Sequence, residues 1–191
     1  MSDIAILKEM IKETATVSLE NDLDRRNKVI LREPKPPNYY VTIRGMPNDD
    51  NVIIINPEEF KSLDTIFKGN RGERKRADFI IIADTGKKKV ILCIEMKAGK
   101  GGEMKDIIAQ LQGAKCFVAY CREIGKSFWH HPNFLEDYNL RFISIKNITQ
   151  KTNTRVDANR IYPNQNLASK LKILHRSGKS FEFKDLVHCQ K

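Results

Sequence analysis

The sequence predicts an α/β domain whose mixed central sheet is flanked by helices. Two runs, residues 79–83 and 90–94, are apolar at every position, so both faces of each strand need cover and the pair belongs in the middle of a sheet. From Lys105 to about Ile124 the side chains Ile107, Leu111, Ala114, Val118 and Cys121 recur at helical spacing, with Ile108 and Phe117 alongside. Leu140 to Ile145 then reads as another strand. A strand–helix–strand order predicts a right-handed crossover that lays this strand beside residues 90–96.

The other elements follow along the chain. Ser2 or Asp3 can cap a first helix, with Ile4, Leu7, Met10, Ile11 and Val17 near one face. Arg32-Glu33-Pro34-Lys35-Pro36-Pro37 breaks the chain into a loop. Tyr39–Ile43 and Val52–Ile55 read as strands. Asn56-Pro57-Glu58-Glu59 combines a cap, a first-turn proline and a capping-box glutamate, which predicts a helix ending near Lys68-Gly69. Asp84-Thr85-Gly86-Lys87-Lys88-Lys89 is turn chemistry and joins the two apolar strands as a hairpin. Near the C-terminus, Leu171–His175 and Ser180–Phe183 read as a hairpin around Ser177-Gly178, or the first half as the end of a helix.

A chain of 191 residues has the length of one domain with a substantial core. No apolar stretch approaches the ~20 residues of a membrane span, and Met1-Ser2-Asp3-Ile4 lacks a signal-peptide pattern. A cytoplasmic location is therefore expected. Cys93, Cys116, Cys121 and Cys189 form no CxxC pair, which argues against a zinc knuckle or disulfide framework and for buried free thiols. The formal net charge is +10. It is uneven: residues 1–67 carry 9 Lys/Arg against 12 Asp/Glu, residues 68–140 carry 14 against 9, and residues 141–191 carry 11 against 3. The basic two-thirds suit a polyanion. They do not suit a membrane surface, because the basic residues do not gather on one amphipathic helix.

Asp78 opens the first apolar run, and Glu95-Met96-Lys97 closes the second. Charges beside buried strands are expensive unless a metal or a reaction needs them. If Asp84 pairs with Lys89 across the turn, the same register sets Asp78 opposite Glu95. Opposed like charges destabilise a strand pair, and a divalent cation between them reverses the penalty. Lys97 shares a side of the strand with Glu95, whereas Met96 points into the core. Two carboxylates and an ammonium on one patch suit phosphodiester hydrolysis. Mg2+ or Mn2+ would lower the pKa of a bound water and stabilise the leaving oxygen. The lysine would orient or deprotonate that water and balance charge in the transition state.

Asp78, a hairpin, Ile94-Glu95-Met96-Lys97 and a following helix with Gln110 together resemble the PD-(D/E)XK nuclease superfamily, over about residues 78–145. The resemblance implies a restriction-endonuclease-like αβββαβ core with the N-terminal helix as its first element. Residues 146–191 are left as a basic C-terminal extension. It implies Asp78 and Glu95 as ligands of Mg2+ or Mn2+, Lys97 as the catalytic lysine, and a glutamine on the next helix. Gln110 borders the sheet-facing stripe and Gln112 points away, so Gln110 is the candidate. Ala77 stands where the family name has proline, a position that often departs from the pattern. Some members recruit a first-helix glutamate; Glu13 and Glu20 fit better as solvated charges.

The implied substrate is nucleic acid, DNA ahead of RNA, cut internally. Cutting both strands implies a homodimer or a subunit of a larger complex. The alternative is a nuclease-fold binding or assembly subunit, against which the intact Asp78, Glu95 and Lys97 argue. The segment Lys68 to Arg76 runs into Asp78 and is basic at five of nine positions. Arg71, Arg74, Lys75 and Arg76 are its candidate phosphate contacts, and its glycines allow close backbone approach. Lys100, within Ala98–Gly102, is a further candidate, although the segment lacks the P-loop order. Trp129-His130-His131-Pro132 reads as a loop-to-strand junction. No serine or cysteine matches a histidine and a carboxylate as a triad.

Overall fold

Two apolar strands build the centre of the molecule. In a computed structural model, which describes residues 1–22, 24, 26–33, 39–61, 63–98, 103–146, 171–175 and 180–187, they are β5 (Phe79–Asp84) and β6 (Lys89–Met96). They pair antiparallel from Asp84↔Lys89 to Phe79↔Ile94. β4 (Val52–Ile55) pairs antiparallel with β5. β7 (Asn139–Lys146) lies parallel to β6, and β8 (Leu171–His175) parallel to β7. The sheet order is β4-β5-β6-β7-β8.

Strand alternation gives this sheet two apolar faces. On one, Ile80, Ile82, Ile91 and Cys93 pack against Ile107, Leu111, Ala114, Val118 and Cys121 of α3 (Met104–Phe128). Ile4 and Leu7 of α1 (Asp3–Met10) join the same cluster. The Ala5 N–H donates to Ser2 Oγ at 3.2 Å, so Ser2 is the cap. On the other face, Ile81, Leu92, Ile94 and Met96 meet a second sheet. Its strands are β1 (Glu20–Asn21), β2 (Asn27–Glu33), β3 (Tyr39–Met46) and β9 (Ser180–Glu182), in the order β1-β2-β3-β9. Val29, Leu31, Val41 and Ile43 supply its inner face, with Phe183, Leu186 and Val187 of α4 (Phe183–Val187).

The fold departs from the sequence reading in several places. Among the described residues α1 and α3 cover one face of the central sheet, while a second sheet with the short α4 covers the other. An apolar run shows that a face is covered, not whether helix or sheet covers it. Val17 is not on the first helix: its N–H donates to Ile54 O at 2.9 Å in an extended segment. The expected helix from Asn56 is a 3-10 turn (Pro57–Glu59) and a short α2 (Leu63–Ile66). The cap itself forms, with the Glu58 N–H donating to Asn56 Oδ1 at 3.0 Å. Phe60 then leaves helical geometry and packs against Phe117 and Tyr120 on α3.

Arg32 and Glu33, read as loop, end β2. Residues 171–175 and 180–182 are not a hairpin: they enter different sheets, each parallel to its neighbour. Described parts of the C-terminal extension thus complete both sheets. Cys116 is exposed rather than buried. Ser177-Gly178, His188 and Cys189 lie outside the described residues. No helix among the described residues is long and apolar enough to cross a membrane.

Candidate functional site

The alternation that buries Ile80 and Ile82 carries Asp78 to the α3 side of the sheet, and the one that buries Ile91 and Cys93 carries Glu95 there. The β5–β6 register ends at Phe79↔Ile94, the pair next to Asp78 and Glu95. Asp78 is 8% exposed and Glu95 0%. The Met96 N–H donates to Asp78 Oδ2 at 2.6 Å, tying the acid to the end of the partner strand. Lys97 Nζ lies 2.5 Å from Glu95 Oε1, a close ion pair.

Burial raises the carboxyl pKa of Asp78 well above the ordinary range, against the lowering pull of the Met96 N–H and Lys97. Burial also raises Glu95, and the charge of Asp78 adds to it. For Lys97, burial alone would depress the ammonium, but Glu95 and Asp78 outweigh it and hold the pKa above its usual value.

Gln110, on the half-buried flank of α3, lines a cleft of about 460 Å3 together with Lys97 and Glu58. Arg74, Lys75 and Arg76 form the basic wall of that cleft, and Asp106 its acidic corner. Lys75 is ion-paired with Asp106, and Arg76 Nη2 sits 3.2 Å from Asp64 Oδ2. Gln112 faces a different groove. The basic segment is organised around Glu73, whose carboxylate accepts the Gly69 and Arg71 N–H groups at 2.8 Å each. It lies so close to α3 that a Cβ on Gly113 would sit 1.7 Å from Lys75 O.

Lys97, Gln110, Arg74, Lys75 and Arg76 therefore converge on one cleft, whereas Asp78 and Glu95 are buried beside Lys97 and do not line it. Arg71 does not line this cleft and lies in the groove on the far side of the segment. Lys100 lies outside the described residues. Glu13 and Glu20 are exposed, on a 3-10 turn and on β1. Among the described residues, Trp129 and His131 bind α1 instead: Trp129 Nε1 donates to Glu9 Oε2 at 3.1 Å, and His131 Nε2 lies 3.5 Å from Asp3 Oδ1.

Four residues were not foreseen. Carboxylate oxygens of Glu33, Glu58 and Asp78 lie within 4.8 Å of one another, a group able to hold a metal ion. Glu58 had a signal, an acid just past a buried strand, but the capping pattern accounted for it. Glu33 had the same signal at the end of β2, masked by the prolines that follow. The Tyr39 hydroxyl donates to Met96 O at 3.0 Å and ties β3 to the end of β6. Lys146 is buried on the α3 side of β7, and burial together with the Lys97 charge lowers its pKa. Comparison with family models, curated proteins and solved structures finds no match to the chain.

Proposed function

We propose that the chain is a metal-dependent nuclease that hydrolyses phosphodiester bonds, of DNA ahead of RNA, at Asp78, Glu95 and Lys97. One observation carries the reading: two acids are buried beside Lys97, which itself lines a basic cleft. Such a pair is costly without a cation. Asp78 fits a hard divalent ion together with Glu33 and Glu58, since the three offer only oxygens within 4.8 Å of one another, and Glu95 is not of that group. Helix α1, the antiparallel strands β4–β5–β6, helix α3 and parallel β7 follow in an order that supports a restriction-endonuclease-like core, with β1–β3 inserted after α1.

In this reading Asp78 and Glu95 would hold Mg2+ or Mn2+, which would supply an acidified water and charge for the leaving oxygen. Lys97, ion-paired with Glu95, would orient the water or help deprotonate it and balance phosphate charge. Gln110 positions the same water or phosphate, and Arg74, Lys75 and Arg76 hold flanking phosphates. A homodimer, or a place in a larger complex, would let one site serve each strand.

The test is incubation of labelled single- and double-stranded DNA and RNA with Mg2+, Mn2+ or EDTA, beside Asp78→Asn and Lys97→Met. Metal-dependent cutting lost in both variants is expected. Binding without cutting in every condition retires the enzyme. One observation favours that second reading, a nuclease-fold binding or assembly subunit: Glu95 has no exposure and its charge is met by Lys97.

A further inference from the structure

Across the basic segment from the carboxylate cleft lies a separate groove of about 640 Å3, within the ~300–1,000 Å3 typical of ligand sites. Among the described residues six large hydrophobic side chains are well exposed, and three of them, Ile66, Phe67 and Tyr120, line this one groove. They are not scattered surface residues but a concave patch. Tyr120 is already stacked on Phe60, with ring centroids 5.7 Å apart and planes at 16°. Phe67 is 47% exposed and Tyr120 54%.

Two arginines and one acid line the groove, and Arg76 is paired with Asp64. Arg71 and Arg76 line it, and Arg76 also lines the carboxylate cleft, so the two sites share a wall. Glu73 is the acid in the lining. Its carboxylate is turned onto the Gly69 and Arg71 N–H groups, and hydrogen bonds from its own segment hold its pKa below the usual range. Flat aromatic faces beside arginines match a strand whose bases are unstacked and whose backbone is anionic. A duplex, with its bases stacked inside, offers no such face. The lining is mainly apolar and would leave a ribose 2′-hydroxyl without partners, which favours DNA over RNA.

We infer that this groove binds the bases of a single DNA strand by stacking on Phe67 and Tyr120, with Arg71 on its phosphates. The inference rests on the nucleic-acid reading of the neighbouring cleft and adds to it a strand that leads past the carboxylates.

The experiment is fluorescence anisotropy with labelled single-stranded and duplex oligonucleotides in EDTA, so that binding is read without cutting. The expected result is a single-stranded DNA Kd raised about 5–100-fold in Phe67→Ala/Tyr120→Ala, near wild type in Tyr120→Phe, with duplex affinity within twofold. If the alanine pair fails to fold by circular dichroism, Phe67→Leu/Tyr120→Leu keeps the apolar volume and removes the flat faces. An unchanged single-strand Kd in the folded double variant overturns the inference. So does an equal loss for duplex, or tighter binding of RNA. A wild-type dimer that the double variant breaks, with single-strand Kd unchanged, assigns the groove to a second copy and also overturns it. A separate cutting assay distinguishes the two claims. Groove-dependent binding with no cutting in Mg2+ or Mn2+ retires the nuclease and keeps the groove. Cutting with groove-independent binding does the reverse.

Discussion

At Asp78 and Glu95 the sign of the pH dependence follows from burial. Both carboxyls have folded-state pKa values raised above the ordinary range. Between ~pH 4, where an unfolded carboxyl ionises, and those raised values, the folded chain holds more protons than the unfolded one. Stability from this pair therefore falls as pH rises through that window. In EDTA, thermal melts should show a falling Tm from pH 5 to 8, and Mn2+ should restore much of the loss at pH 8. Asp78→Asn keeps an oxygen for the Met96 N–H and removes a buried charge. It should raise the pH 8 Tm in EDTA, by about 2–4 °C per kcal/mol in a chain this size, and abolish the response to Mn2+. A flat Tm across the window would count against the buried acid pair. Lys97→Met should lower cutting by about 10²–10⁴-fold with little change in nucleic-acid affinity. At this scale much was legible. Asp78, Glu95 and Lys97 follow from strand alternation, and Gln110 from helix phase. Glu33 and Glu58 were not, because they approach Asp78 from other strands' ends.

Two glycines on α3 separate what that helix does for stability from what it does for binding. At Gly125 an added Cβ would come within 2.1 Å of the Phe134 ring, and at Gly113 within 1.7 Å of Lys75 O. Neither neighbour is the free end of a flexible chain. Each alanine substitution should cost about 1–3 kcal/mol by urea denaturation. Gly113→Ala should also weaken nucleic-acid binding, because it lifts the basic segment from the helix. Gly125→Ala should leave affinity intact, and equal affinity losses in the two would show that the seating of the segment is unimportant. Element identity was legible where one period dominated, as in β5, β6, α3 and β7. It failed after Asn56, where a complete capping signal is overridden by Phe60 packing on Phe117 and Tyr120. It failed again at residues 171–182, where two short segments close in sequence join different sheets.

For the whole molecule, the formal charge of +10 predicts association with polyanions that weakens with salt. Each phosphate contact contributes about 0.7–0.9 to the slope of log K against log salt. Arg74→Ala, in the cleft wall, should reduce the slope by about one while leaving Tm unchanged. An unaltered slope would remove Arg74 from the interface. The sequence by itself determined the α/β class, the central hairpin and its register, and the burial of Asp78 and Glu95 beside Lys97. Those are consequences of periodicity and of the cost of burying charge, both local to the chain. Only the tertiary structure decided what covers the second face, which further acids reach Asp78, and that Arg71 faces an aromatic groove rather than the cleft. Those depend on contacts between segments far apart in sequence, and an apolar or charged position does not specify its partner.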